Sequence, residues 1–368
     1  MRIGFDGKRA TQNFTGLGNY SRFILNILSS HSPENTYRFY SEKQAVKPEL
    51  IHSGIAVVQP ETSKLNLGWR SFGIVKDLKK DRIDLYHGLS NEIPFGIKKA
   101  SIASIVTIHD LIFLRFPQYY GFIDRHIYRF KFKYACKNAD KIIAVSEQTK
   151  KDIIRFFGTD PKKIEVIYQN CALEFKSLDN SRKHEIAAKY KLPEKFILNV
   201  GSIEERKNIL VVVKALKNIN TDIHLVIVGK ETAYTKKVNL YIEENGLGSR
   251  VHILKNVPFL DLPTIYQLAK VFIYPSLFEG FGIPILEALH SGIPVIAATG
   301  SCMEEAGGPN SIYCNPHDEN GFAEAIEKVT QDAELRTKMI SHGYEHAKRF
   351  DDYTIAKQLV ALYKETIK

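Results

Sequence analysis

The chain has 368 residues, 44% apolar and 25% charged, which is the balance of a globular fold but too long for one ordinary core. No run of about 18 apolar residues occurs, so no membrane-spanning helix is expected. The net charge of +10, with a pI near 9.1, favours an anionic partner: nucleotide-sugar, lipid phosphate, membrane face or nucleic acid.

Met1-Arg2-Ile3-Gly4-Phe5-Asp6 turns polar too soon for a signal peptide and reads as a first strand, Ile3–Asp6. A loop with Gly16 and Gly18 follows. Tyr20, Phe23, Ile24, Ile27 and Leu28 then repeat at the spacing of an amphipathic helix. Strands are predicted at Tyr37–Tyr40, Ile55–Val58, Leu85–Tyr86, Ser104–Ile108, Lys141–Val145 and Glu165–Ile167. Phe122–Cys136 and Glu147–Phe157 read as helices between them. The polar stretch from Phe175 to His184 reads as a linker. Beyond it strands recur at Phe196–Val200, His224–Val228, Val251–Leu254, Val271–Tyr274 and Ile293–Ala297. Helices follow Asn208, lie near Lys236–Glu244 and start at Pro284. The end is helical: Gly321–Thr330, Glu334–Arg349 and Tyr353–Ile367. Such alternation predicts an α/β protein of two doubly wound domains, with ligands outside the carboxyl ends of the strands. The four cysteines (Cys136, Cys171, Cys302, Cys314) lack metal-ligand spacing and read as free thiols of a cytoplasmic protein.

Two strand ends carry chemistry. After Val271–Tyr274 comes Pro275-Ser276-Leu277-Phe278-Glu279-Gly280-Phe281-Gly282-Ile283-Pro284-Ile285-Leu286-Glu287. Glycines let a backbone approach a ligand closely, and a helix opening at Pro284 aims free N–H groups at it, an arrangement suited to a diphosphate. Glu279 on the loop and Glu287 in the first helical turn can accept hydrogen bonds from sugar hydroxyls. The plainer alternative is a solvated loop glutamate and a helix-dipole partner. After Phe196–Val200 comes Gly201-Ser202-Ile203-Glu204-Glu205-Arg206-Lys207-Asn208. Here Asn208 is a candidate N-cap, and Arg206 and Lys207 stand beside a helix start. They read either as a phosphate grip or as a solvated basic pair.

Together, Gly-x4-Arg-Lys-Asn and Glu-Gly-Phe-Gly-Ile-Pro-x2-Glu-Ala resemble glycosyltransferase family 4, and the resemblance covers essentially the whole chain. It implies the GT-B fold, two Rossmann-like domains facing a central cleft. An acceptor-binding domain would span 1–177 and a nucleotide-sugar-binding domain 178–349, with a C-terminal helix, 350–368, packing back on the first. It also implies that Arg206 and Lys207 bind the donor diphosphate, that Glu279 contacts the donor sugar and that Glu287 holds the ribose hydroxyls. Gly201, Ser202, Phe281, Gly282 and Ile283 would line the donor site. Ser301-Cys302-Met303-Glu304-Glu305 stands where Ser-Leu-Pro-Glu-Val is common in the family.

In the first half, Gly16-Leu17-Gly18-Asn19-Tyr20 lacks the third glycine of a dinucleotide fingerprint. The resemblance places Gly16 and Gly18 near the donor phosphates. It sets His109 against the transferred sugar, with Asp110 orienting it or meeting acceptor. His87, after Leu85–Tyr86, is a second acceptor candidate. The basic and aromatic run Arg125–Tyr134 suits either an anionic membrane face or nucleic acid; alternatively its aromatics are core and its lysines solvated.

The resemblance thus implies a retaining hexosyltransferase of polysaccharide or cell-envelope glycan assembly, with the nucleotide-diphosphate sugar as co-substrate and no cofactor. The chain holds no Asp-x-Asp motif, so Arg206, Lys207 and helix N-termini would stabilise the leaving diphosphate without a metal. GDP-mannose is the favoured donor and a saccharide or lipid-linked saccharide the acceptor, with peripheral contact at the inner membrane face. A nucleic-acid partner is not expected. The competing class is a non-catalytic sugar- or nucleic-acid-binding protein on the same scaffold.

Overall fold

The structure, a computed structural model, describes residues 1–13, 16–46, 55–60, 68–176 and 180–367. Among them the chain divides into two compact units, Met1–Asn170 with Phe350–Lys368, and Cys171–Arg349.

Unit 1 opens with β1 (Arg2–Asp6), α1 (Lys8–Gln12), α2 (Gly16–His31), β2 (Thr36–Tyr40) and β3 (Ala56–Val58). A π-helical turn, Trp69–Gly73, runs into α3 (Ile74–Lys80). Then come β4 (Leu85–Gly88), β5 (Ala103–Ile108), α4 (Ile112–Arg115), α5 (Phe122–Asn138), β6 (Lys141–Ala144), α6 (Glu147–Phe157) and β7 (Ile164–Val166). The strands form one parallel sheet in the order β3-β2-β1-β4-β5-β6-β7. Its order reverses between β1 and β4, the switch point where such sheets bind ligands.

Unit 2 contains α7 (Lys183–Tyr190), β8 (Phe196–Val200), α8 (Ile209–Lys217), β9 (His224–Val228), α9 (Thr235–Glu244), β10 (Val251–Leu254), α10 (Leu262–Leu268) and β11 (Val271–Tyr274). It continues with α11 (Ile283–His290), β12 (Val295–Ala298), α12 (Met303–Gly307), β13 (Ile312–Cys314), α13 (Glu319–Gln331) and α14 (Ala333–Ala347). Its parallel sheet runs β10-β9-β8-β11-β12-β13, with the switch between β8 and β11. The last helix, α15 (Asp352–Ile367), belongs to unit 1. It buries Ile355, Leu359 and Tyr363 there and packs on α2.

Local signals explain some element ends. Ser146 caps α6 by accepting the Thr149 N–H at 3.0 Å, and Gly158 ends it at φ +62°. Gly292, at φ +71°, terminates the short α11 before β12.

Three expectations change. The supposed linker is partly core: Phe175 is fully buried in unit 2 against the rings of Phe259 and Tyr266, and Lys183 already opens α7. The units divide at 170/171, and the expected boundary at 177/178 lies outside the described residues. Gly16 and Gly18 are not loop residues but the first turn of α2. A Cβ on Gly18 would stand 1.8 Å from the Asn13 carbonyl oxygen, so only glycine lets the chain double back there.

Candidate active site

Unit 2 brings a cluster of charged residues together at the carboxyl ends of β8 and β11. After β8, Gly201 takes φ +151°, and a short 3-10 turn, Glu205–Lys207, presents two cations. After β11, the loop returns Glu279 to meet them. Glu279 Oε1 lies 2.9 Å from Arg206 Nη1 and 2.7 Å from Lys207 Nζ. Burial alone would raise the Glu279 carboxyl, but Lys207 and Arg206 outweigh it and hold the pKa near 2. Burial likewise opposes both cations, and Glu279 overrides it, so both stay protonated.

Further bonds fix the pair. Arg206 donates to the Phe278 carbonyl at 2.5 Å and to Glu204 Oε1 at 2.8 Å. Lys207 donates to the Tyr274 hydroxyl at 2.6 Å and stands over that ring at 5.0 Å. Asn208 does not cap α8. Its backbone is left-handed, φ +57°, and its side-chain amide instead ties the Pro275 and Pro316 carbonyls, at 3.1 and 2.7 Å.

The acidic loop is held from behind. Ser301 Oγ accepts the Glu279 N–H at 3.1 Å, and the buried Cys302 thiol reaches the carbonyls of Glu279 and Phe281 at 3.1 and 2.9 Å. Phe281 is buried, and Gly282, at φ +111°, turns the chain into α11. The helix starts at Ile283, so Pro284 lies within its first turn and Glu287 in its second rather than its first. Glu287 Oε2 accepts from the Tyr266 hydroxyl at 2.7 Å, and burial lifts its pKa to about 7. Gly201 and Ser202 are half-buried at the same strand end.

The remaining candidates belong to unit 1. His109 ends β5 almost fully buried, with Tyr20 edge-on at 4.5 Å. Its Nε2 sits 2.9 Å from the Leu89 carbonyl, which can only accept, so Nε2 carries the hydrogen. Burial lowers its pKa to about 4, leaving a neutral imidazole. Its carbonyl accepts from Thr149 Oγ1 at 3.2 Å. Asp110 Oδ1 accepts the Ile112 N–H at 3.1 Å, at the start of α4. His87 is a correction. It lies inside β4, wholly buried, with Nδ1 on Tyr363 of α15 and Nε2 on Thr107, both at 2.8 Å. No ring nitrogen is left for an acceptor, and its role is to lock the last helix to the sheet.

Sequence reasoning missed Tyr274 and Glu204 as partners of the cations, Tyr266 as the partner of Glu287, and Cys302 as a support of the Glu279 loop. Tyr274 reads as strand core, and nothing in the sequence says which face of β11 ends beside Lys207.

The profile described as glycosyl transferases group 1 matches residues 181–346, and that of glycosyltransferase family 4 matches residues 27–169. The chain belongs to the family-4 glycosyltransferases, of GT-B fold. It is 27% identical over 286 residues to O-antigen chain mannosyltransferase B of Escherichia coli, covering 76% of this chain and 74% of that one. It is 30% identical over 226 residues to O-antigen chain mannosyltransferase RfbU of Salmonella typhimurium, covering 61% of this chain and 60% of that one. Among solved structures, Anabaena HepE in complex with UDP and glucose superposes with a TM-score of 0.76 at 18% identity, over 99% of both chains.

Proposed function

We propose that the chain moves a hexose from a nucleotide-diphosphate sugar to a saccharide or lipid-linked saccharide in cell-envelope glycan assembly, with retention of configuration. GDP-mannose is the first donor to test, since two of its relatives are named mannosyltransferases.

The observation that carries this reading is the sharing of one carboxylate, Glu279, by Arg206 and Lys207 beside the glycine turn into α11. A donor diphosphate offers the same cations more negative charge. As the glycosidic bond breaks, charge grows on the leaving phosphate, and fixed cations stabilise it without a metal. Glu279, displaced from them, becomes free to accept hydrogen bonds from the donor sugar, and Glu287 does the same for the ribose. The leaving phosphate takes the acceptor proton, so no enzymic nucleophile is assigned. Neutral His109 contributes a polar contact rather than a charge.

The lipid-linked class of acceptor draws support from α5. Ile123, Ile127 and Phe130, at i, i+4 and i+7, are 71%, 45% and 63% exposed, opposite the buried Phe132, Ala135 and Cys136. Lys133 and Lys137 flank the stripe, the pattern of a helix lying on an anionic lipid surface. No helix among the described residues is long and apolar enough to cross a membrane.

The test is turnover of GDP-mannose and UDP-hexoses, with and without EDTA, in the wild type and in Lys207→Ala. The variant should lose roughly 2.7–4 kcal/mol of transition-state stabilisation, about 10²–10³ in kcat. Near-normal turnover in the variant refutes the diphosphate grip, and EDTA-sensitive turnover restored by a divalent ion refutes the metal-free chemistry.

A further inference from the structure

Unit 1 holds a second charge cluster, at the switch point between β1 and β4, that the chemistry above leaves unused. Asp6, buried at the end of β1, accepts from Arg70 Nε at 3.1 Å, from Arg70 Nη2 and from the Ser90 hydroxyl at 2.9 Å. Arg70 Nη1 reaches Glu92 Oε2 at 3.1 Å, and Lys131 of α5 reaches the same oxygen at 3.0 Å. Two cations and two carboxylates cancel, so the cluster offers no net charge to an anion.

It does offer unspent hydrogen bonds. Among the described residues no donor is found for Glu92 Oε1. Tyr134 accepts the Gly96 N–H at 3.1 Å, yet its own O–H has no acceptor there. Lys131 keeps two N–H groups. These three side chains and Phe95 border one partly enclosed cavity of about 10 Å³, about the least that admits a water or a single hydroxyl. Beside it runs a row of rings: Phe95 lies 4.9 Å from Phe72, 5.9 Å from Phe130 and 4.4 Å from Tyr134, centre to centre. Phe72 and Phe130 are 66% and 63% exposed.

A hydroxyl-sized hole with donors and an acceptor, edged by open aromatic rings and electrically neutral, matches an uncharged sugar. Its hydroxyls hydrogen-bond to such groups, and its C–H face packs on such rings. We propose that this pocket seats a sugar ring of the acceptor, with one hydroxyl held by Glu92, Lys131 and Tyr134 and the ring resting on the Phe72–Phe130 row. The proposal rests on the transferase reading and adds where the neutral part of the acceptor binds.

Sugar binding at this pocket is best read by calorimetry, because the single tryptophan, Trp69, does not border the cavity and donates its indole N–H to Asp77 at 2.7 Å. Methyl α-mannoside should bind saturably in that measurement. Glu92→Gln and Tyr134→Phe should each raise the midpoint about tenfold, the effect of losing one hydrogen bond to or beside a charged group. Phe72→Ala, at a position 66% exposed, should raise it too. GDP and UDP affinities, read by calorimetry, should not move in any of the three. No saturable heat of sugar binding, or a midpoint unchanged in all three variants, overturns the pocket. Absence of nucleotide binding in the wild type would instead sink the donor reading and leave the sugar titration to stand by itself.

Discussion

The two units carry the same string of charges at their switch points and bury it differently. In unit 1 the order is Asp6, Arg70, Glu92, Lys131; in unit 2 it is Glu204, Arg206, Glu279, Lys207. Each is an acid, an arginine, a shared acid and a lysine. In unit 1 the terminal acid is the buried one, Asp6 at 3% side-chain exposure, and the shared Glu92 is more open at 21%. In unit 2 the terminal Glu204 is open at 38%, and the shared Glu279 lies deeper at 12%. Arg70 is therefore spent on an anchor that solvent and ligands do not reach. Arg206 and Lys207 lean on one carboxylate, Glu279, the group that the proposed donor diphosphate would displace. Equal formal charge is thus buried at opposite ends of the string, and the roles proposed above, a hydrogen-bonding pocket in unit 1 and an anion site in unit 2, rest on that difference.

The largest effect should come from breaking the anchor. Asp6→Asn strips the counter-charge from a guanidinium that is itself only 12% exposed. Removing one partner of a buried pair costs about 3–5 kcal/mol, so chemical denaturation should show a loss of that order. A loss under about 1 kcal/mol would mean that Glu92 alone can hold Arg70, and the contrast between the units would fail.

Glu287 tests unit 2 through pH. Its folded pKa, near 7, lies above the ordinary carboxylate value of 4.5. Across that window the folded chain keeps a proton that the unfolded chain has lost, so this group's stabilising contribution is full below pH 4.5 and disappears as pH rises through 7. Glu287→Gln should flatten the decline and gain about 2 kcal/mol at pH 8. Nucleotide affinity should run the other way. The ionised carboxylate is the stronger hydrogen-bond acceptor, so with the ribose held by Glu287 as proposed, GDP should bind more tightly at pH 8 than at pH 6, and not in the variant. Parallel melting curves for wild type and variant from pH 5 to 8 would dismiss the first half of this claim.

Much of this was legible in the sequence, for a physical reason. Parallel strands buried on both faces are short apolar runs between charged or glycine breaks, which is why Phe196–Val200, His224–Val228, Val251–Leu254 and Val271–Tyr274 were predicted with their observed ends. β13 escaped because three residues between turns carry no period. α10 escaped because Pro263 in its first turn reads as a break. Arg206, Lys207 and Glu279 stood out because glycines flank them at strand ends. That they pair with each other, some seventy positions apart, is a tertiary fact with no local signal. The same holds for Arg70 and Asp6, and a lone arginine after Trp69 gave no hint of it. His87 misled because β4 runs two residues past its predicted end and because the cover comes from Tyr363, at the far end of the chain.

Glu279→Gln probes exchangeability itself. If the carboxylate competes with diphosphate for the two cations, removing its charge should tighten GDP binding about tenfold by calorimetry while transfer falls. Weaker GDP binding would show that Glu279 organises the cations for the anion instead of yielding to it.

Glu204→Gln should do least. Its carboxylate meets Arg206 at 2.8 Å, but its side chain is 38% exposed, so solvent screens the pair. Exposed ion pairs contribute about 0–1 kcal/mol, and Arg206 keeps Glu279 and the Phe278 carbonyl in any case. Stability should therefore shift by less than about 1 kcal/mol, with GDP affinity changed only slightly and upward. Set beside Asp6→Asn, this is the same position in the same string of charges, differing in depth. Equal losses in the two variants, measured by the same denaturant titration, would mean that burial is not what separates the two sites.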